Sequence, residues 1–285
     1  MKCGLVLEGG SRKGLFTAGI IDAFLDNNVH FDYVIGVSAG AHAAINFITE
    51  QHGRTRRVLT PRTVRRDGGG SFILVRDGIR KALHEMVYEY QYSKSDPFNF
   101  KKLFSSPIEY EFAMTCVETG RPAYFTERQD EKRLLDYMCA SCSLPVLFSI
   151  VDIDGIHYAD GCITDSVPFE RAFEKGCEKV VVISTQEPWD GPVDFKKMRG
   201  VLYPLYKFSH PNLYRALMNR FDNYNKMLAR LESAEAKGKA FVFRPTEVLC
   251  DLFETDAKKI DSSYSYGYRY AKEQMKSMKE FLGQN

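Results

Sequence analysis

Tyr33-Val34-Ile35-Gly36-Val37-Ser38-Ala39-Gly40-Ala41-His42-Ala43-Ala44-Ile45 is the stretch on which the fold turns. Tyr33 to Val37 is a short apolar run that predicts a buried strand, and Ala39 to Glu50 predicts a helix. The join, Gly36-Val37-Ser38-Ala39-Gly40, fits the pattern GxSxG in the strand-to-helix setting where that pattern has meaning. A serine on so sharp a turn sits in a strained backbone, and flanking glycines leave room for the chain and for an incoming ester. The helix that follows directs its first N–H groups toward negative charge developing beside the serine.

Upstream, Gly4 to Glu8 predicts a first buried strand closed by Gly9-Gly10, and Leu15, Ala18, Ile21, Phe24 and Leu25 mark one face of a helix over Gly14 to Asn27. Strand, helix, strand, helix implies a parallel sheet with right-handed crossovers. Downstream, Ile108 to Val117 and Ala123 to Thr126 predict strands and Arg128 to Ala140 a helix. Val180 to Ser184 has the unbroken β-branched character of a central parallel strand. Leu213, Leu217, Phe221, Tyr224, Leu228 and Leu231 line one amphipathic helix over Asn212 to Lys237, which stops at Gly238 before a strand at Ala240 to Phe243. From Asp256 onward the chain is again helical. The expected class is α/β, with no internal repeat.

Composition narrows the function. Of 285 residues, 39 are Lys or Arg and 37 Asp or Glu, a net charge of +2 that excludes the basic excess of a nucleic-acid coat. Met1 to Gly10 is too short an apolar run for a signal sequence, and Tyr33 to Ile48, interrupted by Ser38, His42 and Asn46, falls short of the ~20 apolar residues of a spanning helix. Seven cysteines, an odd number, in a chain large enough to fold without staples suggest reduced thiols in a cytoplasmic setting. Cys139 and Cys142 have CxxC spacing but no second ligand pair, so neither a metal nor another cofactor is expected.

Gly9-Gly10-Ser11-Arg12-Lys13-Gly14 links the first strand to the first helix. GxGxxG would need a glycine at position 11, and GxxxxGK[ST] is absent, so neither dinucleotide nor P-loop phosphate binding fits. Beside a serine elbow, the loop reads better as successive N–H donors for an oxyanion, from Gly9, Gly10 and Ser11 with Ala39 across the gap and Lys13 adding positive charge. A serine nucleophile needs a base. Only His210 follows in the order of an α/β-hydrolase, in a segment that reads as a helix start. Tyr158-Ala159-Asp160-Gly161 ends a short strand and would present Asp160 at the sheet edge, although an Asp-Gly turn is also an ordinary turn.

The three elements in this order resemble the patatin-like phospholipase family, whose pattern is a GGGx(K/R)G loop, a GxSxG elbow and a downstream DG(G/A). Ala140-Ser141-Cys142-Ser143-Leu144-Pro145 with Phe148 is similar to the family's segment between elbow and aspartate, and Arg244-Pro245 through Tyr264-Ser265-Tyr266-Gly267-Tyr268 resembles its soluble bacterial subgroup. The resemblance implies a three-layer α/β/α fold with a mainly parallel sheet, in one domain over 1–285. Residues of about 4–170 would form the catalytic core, and about 171–285 would complete and cover it. It also implies a Ser38-Asp160 dyad without a catalytic histidine, supported by Lys13, Gly14, Gly36, Gly40 and Gly161. Ser11 stands at the third glycine of the loop and Cys162 at the last position of DG(G/A).

Two function classes follow: a serine acyl hydrolase acting on carboxylic esters of lipids, and a low-turnover lipid- or anion-binding regulatory protein on the same scaffold. The six arginines Arg54, Arg56, Arg57, Arg62, Arg65 and Arg66 precede Asp67 and Gly68-Gly69-Gly70-Ser71. They predict the start of a mobile, solvated insertion, or else a basic flap that draws an anionic membrane surface toward the elbow. The sequence leaves the oligomeric state undetermined.

Overall fold

Residues that alternate along a strand must be covered on both faces if all are apolar, and this requirement organises the fold. In the computed structural model, which describes residues 1–60, 83, 87–88, 90–145, 147–188, 191–252 and 254–284, the first strand β1 (Cys3–Leu7) sends Leu5 and Leu7 into one core and Val6 into another. The strand β7 (Lys179–Ile183) divides in the same way, Val181 and Ile183 against Val180 and Val182. The first core is closed by α1 (Gly14–Asp26), α2 (Ala39–Ile48), α5 (Glu131–Ser141) and α9 (Ala257–Leu282). The second is closed by α6 (Phe169–Glu174) and α8 (Pro211–Ala236). The result is three layers, helices on both sides of a sheet.

The remaining elements are β2 (Tyr33–Val37), α3 (Arg54–Leu59), α4 (Phe100–Ser105), β3 (Glu109–Cys116), β4 (Arg121–Phe125), β5 (Val151–Ile153), β6 (Ile156–Asp160), α7 (Arg199–Tyr206) and β8 (Ala240–Phe243). The strand order is β5-β6-β3-β2-β1-β7-β8, with β4 paired to β3 off this path. Pairings among β3, β2, β1, β7 and β8 are parallel, and those of β4, β5 and β6 are antiparallel. Helices α1 and α9 cross with glycines at the contact: a Cβ on Gly19 would lie 2.6 Å from the Tyr268 nitrogen, and one on Gly267 would strike the Phe16 carbonyl.

Register on β3 sets up the site. β3 has two edges, and β4 occupies one of them from Phe112 to Cys116. β2 and β6 therefore share the other, β2 ending at Val37 opposite Ala113 and β6 ending at Asp160 opposite Met114. The chain must leave β2 at Ser38, where β6 arrives with Asp160.

The stretch from Arg54 differs from its expectation as a mobile insertion. Arg54–Leu59 is helix, and Arg54 is fully buried, its guanidinium donating to the Asn46 Oδ1 at 3.0 Å and to the carbonyls of Tyr90 and Asp96. It also lies over the rings of Tyr90 and Phe98. Arg57 pairs with both oxygens of Asp96, and Arg56 donates to Asp261 Oδ1 at 2.6 Å. A planar fork of five donors is well served by the carbonyls and amide around Arg54, so this one arginine is internal, while Arg56 and Arg57 make their pairs at the surface. Arg62, Arg65, Arg66, Asp67 and Gly68 to Ser71 lie outside the described residues. No helix among the described residues is long and apolar enough to cross a membrane.

Candidate active site

Ser38 occupies the turn between β2 and α2 with φ 55° and ψ −121°, a conformation that costs an L-residue about 1–3 kcal/mol and persists only where the surroundings impose it. The surroundings here are backbone. A Cβ at Gly36 would collide with the Gly40 carbonyl, and one at Gly40 with the Leu7 carbonyl, so both glycines of the pentapeptide are required by close approach. The Ser38 N–H donates to Ser141 Oγ at 2.9 Å, and Ser141 Oγ donates onward to the Ala113 carbonyl at 2.8 Å. The end of α5 thus holds the elbow against β3. Two residues on, the Ser143 carbonyl accepts the Asp160 N–H at 3.0 Å. One short segment, Ser141 to Ser143, fixes the backbones of both Ser38 and Asp160.

Asp160 is buried, and its carboxylate accepts the Cys162 N–H at 2.9 Å. Burial raises its carboxyl above the ordinary aspartate value; the Cys162 N–H and thiol, the Ser38 hydroxyl and the Arg220 charge oppose that rise. The turn after it, Gly161–Ile163, is pinned by Thr115 Oγ1, which donates to the Asp160 carbonyl at 2.8 Å, and by Arg220 Nε, which donates to the Cys162 carbonyl at 2.7 Å. A Cβ at Gly161 would strike the Ala113 carbonyl. Cys142 and Cys162 stand in the two segments that flank this site, Cys142 buried and Cys162 half-buried. Burial holds both thiols well above the usual range, so both stay protonated.

The loop after β1 completes the cluster. Leu7 pairs with Gly36, which sets the ends of β1 and β2 side by side, and a Cβ on Gly9 would lie 2.9 Å from the Ser38 Cβ. Gly14, which opens α1, packs at similar range on Ala39. Gly10 has φ 147° and Ser11 φ 49°, so Ser11 does sit where a Cβ is disfavoured. Its hydroxyl donates to the Leu252 carbonyl at 2.8 Å, a bond that glycine could not make. Among the described residues no acceptor is bonded to the N–H groups of Gly9, Gly10, Ser11 or Ala39. Lys13 pairs with the Glu187 carboxylate, which also accepts the Leu249 N–H at 3.1 Å. Its charge therefore anchors the loop to the segment around Leu249 instead of standing bare beside Ser38.

A patatin-like phospholipase model matches residues 5–173, the span that contains the loop, the elbow and Asp160. The chain belongs to the patatin-like phospholipase family. A second family model, a domain of unknown function (DUF6363), matches residues 210–283. Uncharacterized protein YjjU of Escherichia coli (strain K12) is 31% identical over 209 residues, which are 68% of this chain; the match spans 55% of the YjjU length. VipD from Legionella pneumophila superposes with a TM-score of 0.54 at 14% identity, covering 97% of this chain and 67% of VipD, a likeness of fold.

Within this patatin-like site, three supporting residues carried no role in the sequence. Ser141 and Ser143 lie in a segment whose resemblance is visible but whose function is not. Glu8, which reads only as a break in an apolar run, is buried beneath the loop. Its carboxylate accepts from Ser184 Oγ at 2.6 Å, Tyr224 Oη at 2.7 Å and the Thr185 N–H at 2.8 Å. Burial raises its carboxyl, and these donors pull it back. Thr185 Oγ1 in turn donates to the Gly9 carbonyl, so Glu8 ties the loop to β7 and α8.

No histidine is hydrogen-bonded to Ser38 or Asp160 among the described residues. His42 is fully buried on α2 with neither ring nitrogen partnered among the described residues, and burial lowers its pKa to about 3. The Glu118 carboxylate accepts from His157 Nδ1 at 2.7 Å, and His210 stands at the N-terminus of α8 beside Ser209. A general-base histidine contributes ~10²–10⁴-fold. His42→Gln, His157→Gln and His210→Gln should each keep hydrolysis of a soluble ester within about tenfold, ~1.4 kcal/mol of barrier. A thousandfold loss in any one, with circular dichroism unchanged, would make that histidine the base.

Proposed function

We propose that this protein is a serine acyl hydrolase that cleaves carboxylic ester bonds of lipids through a Ser38-Asp160 dyad, in a single patatin-like domain spanning the chain. The observation that carries this reading is the strained elbow at Ser38, set by strand register beside the buried Asp160 and next to a loop whose N–H groups have no bonded acceptor among the described residues.

In the first step Ser38 Oγ attacks the ester carbonyl carbon while its proton passes to Asp160. The carbonyl π pair moves to oxygen, where the N–H groups of Gly9, Gly10, Ser11 and Ala39 stabilise the charge. The tetrahedral intermediate collapses with loss of the alcohol, which takes the proton from Asp160. Water then attacks the acyl-serine, Asp160 accepts its proton, and collapse frees the carboxylic acid and restores the Ser38 hydroxyl. An ordinary aspartate is a weak base, and burial that raises the Asp160 carboxyl strengthens it for this task.

No metal enters the proposed steps, and no group of three or more candidate ligands is assembled among the described residues. All seven cysteines are free thiols, in keeping with the reducing cytoplasm proposed for it. The test is turnover. Purified protein should hydrolyse p-nitrophenyl butyrate catalytically, at the same rate with and without EDTA. Retention of anionic lipid with no ester turnover would replace this reading with that of a binding protein.

A further inference from the structure

The surface beside the Asp160 turn carries an apolar patch that the proposed reaction does not use. Helix α7 buries only Leu202, which joins Ala159 and Ile163 in one cluster. Those two residues flank the Asp160-Gly161-Cys162 turn. Around the outside of α7 and just past its end, Val201 and Leu205 are each 50% exposed and Phe208 is 79% exposed. Tyr203, 38% exposed, stacks edge-on with Phe208. Large apolar side chains grouped so openly mark a surface that is covered in use.

Charge identifies what covers it. Between Asp194 and Asp222 the chain has no acidic residue, and Lys196, Lys197, Arg199, Lys207 and Arg215 are all exposed. Lys196 is engaged by Asp222, and the nearby acid Glu118 by His157. Exposed aromatics and aliphatics rimmed by lysine and arginine form the chemistry of a segment that lies in the headgroup layer of an anionic bilayer. In the basic run first suspected of that role, by contrast, Arg54 is buried on Asn46, and Arg56 and Arg57 are paired with Asp261 and Asp96.

We propose that α7 and the turn to Phe208 form an interfacial docking surface that seats the protein on anionic phospholipid membranes, with the Asp160 edge of the sheet toward the lipid. This rests on the lipid-ester reading for its purpose but not for its test. Ser38→Ala protein is mixed with vesicles of phosphatidylglycerol and, separately, of phosphatidylcholine, and sedimentation is measured, so that binding is read without turnover.

Binding to phosphatidylglycerol vesicles is expected, weakened by added salt and much poorer on phosphatidylcholine. Leu205→Ser with Phe208→Ser should lower partition by about tenfold or more. Lys197→Glu with Arg199→Glu should lower it by a similar factor and flatten the salt dependence. The same substitutions placed on Ser38-containing protein should leave hydrolysis of p-nitrophenyl butyrate unchanged, which also shows that the variants fold. Absence of wild-type binding, binding unaltered in both variants, or a concentration-dependent dimer that the Leu205 and Phe208 changes dissolve while vesicle binding persists would each overturn the assignment. Loss of esterase activity in all proteins with vesicle binding intact would instead count against the hydrolase reading alone.

Discussion

Asp160→Asn should lower kcat on p-nitrophenyl butyrate by roughly a thousandfold or more while leaving KM nearly unchanged, because removing a general base acts on the transition state alone. The substitution is close to isosteric. The asparagine Oδ1 can still accept the Cys162 N–H, while its amide would face Ser38 with a donor where an acceptor is needed. Stability should not fall with activity. Because burial raises the folded-state value of the Asp160 carboxyl, the folded protein holds that proton more tightly than the unfolded chain does. Its contribution to stability is complete below the unfolded value, ~3.9, and is lost as pH rises through the raised folded value. At neutral pH the ionised, buried carboxylate is therefore a burden that asparagine removes, and the variant should melt at or above the wild-type temperature. The same shift governs the acid limb of wild-type kcat/KM. Activity needs the carboxylate, so the limb should lie above ~3.9 and vanish with the residual activity of Asp160→Asn. A variant that keeps full activity, or equal damage from Asp152→Asn or Asp154→Asn, would displace Asp160 from the role of base. Those two carboxylates are exposed on the β5 hairpin, Asp152 at the Gly155 turn and Asp154 paired with Arg133.

Ser38→Ala should abolish turnover to the background rate of the buffer. Only one oxygen is removed, and alanine keeps the Cβ that the turn already accommodates at φ 55°. The Ser38 N–H bond to Ser141 is a backbone bond and survives the change. Melting temperature should thus stay within a few degrees, a shift of about 1 kcal/mol or less for the loss of a single hydroxyl on a half-buried residue. Persistence of wild-type turnover in Ser38→Ala would remove Ser38 as the nucleophile.

Much of this arrangement is legible in the residues themselves. Apolar runs closed by glycine mark β1 and β2, and a β-branched run marks β7, because strands buried on both faces leave no room for polar positions. The elbow is legible because a GxSxG pattern stands between an apolar run and a helical one; Gly36 answers to a local contact with Gly40, while the contact that requires Gly40, the Leu7 carbonyl, lies on the neighbouring strand. What the sequence hides is nonlocal. Ser141 and Ser143 bridge to Ser38, Ala113 and Asp160 only because α5 ends where β2 and β6 meet on the edge of β3. Glu8 looks like an interruption until β7 and α8 supply Ser184, Thr185 and Tyr224 around it. Arg54 reads as solvated because charge runs usually are, and its partners Tyr90 and Asp96 lie dozens of residues away. Helix α7 escapes periodicity altogether, since Pro204 interrupts it and only Leu202 turns inward.

The dyad at the centre of the proposed function can be tested in one labelling measurement. An active-site-directed fluorophosphonate is incubated with wild-type, Ser38→Ala and Asp160→Asn protein, and the adduct is located by peptide mass spectrometry. Stoichiometric modification of Ser38 in the wild type, none in Ser38→Ala, and labelling slowed by orders of magnitude in Asp160→Asn is the expected result. An adduct on another residue, or labelling of Ser38 at the wild-type rate without the Asp160 carboxylate, would contradict it.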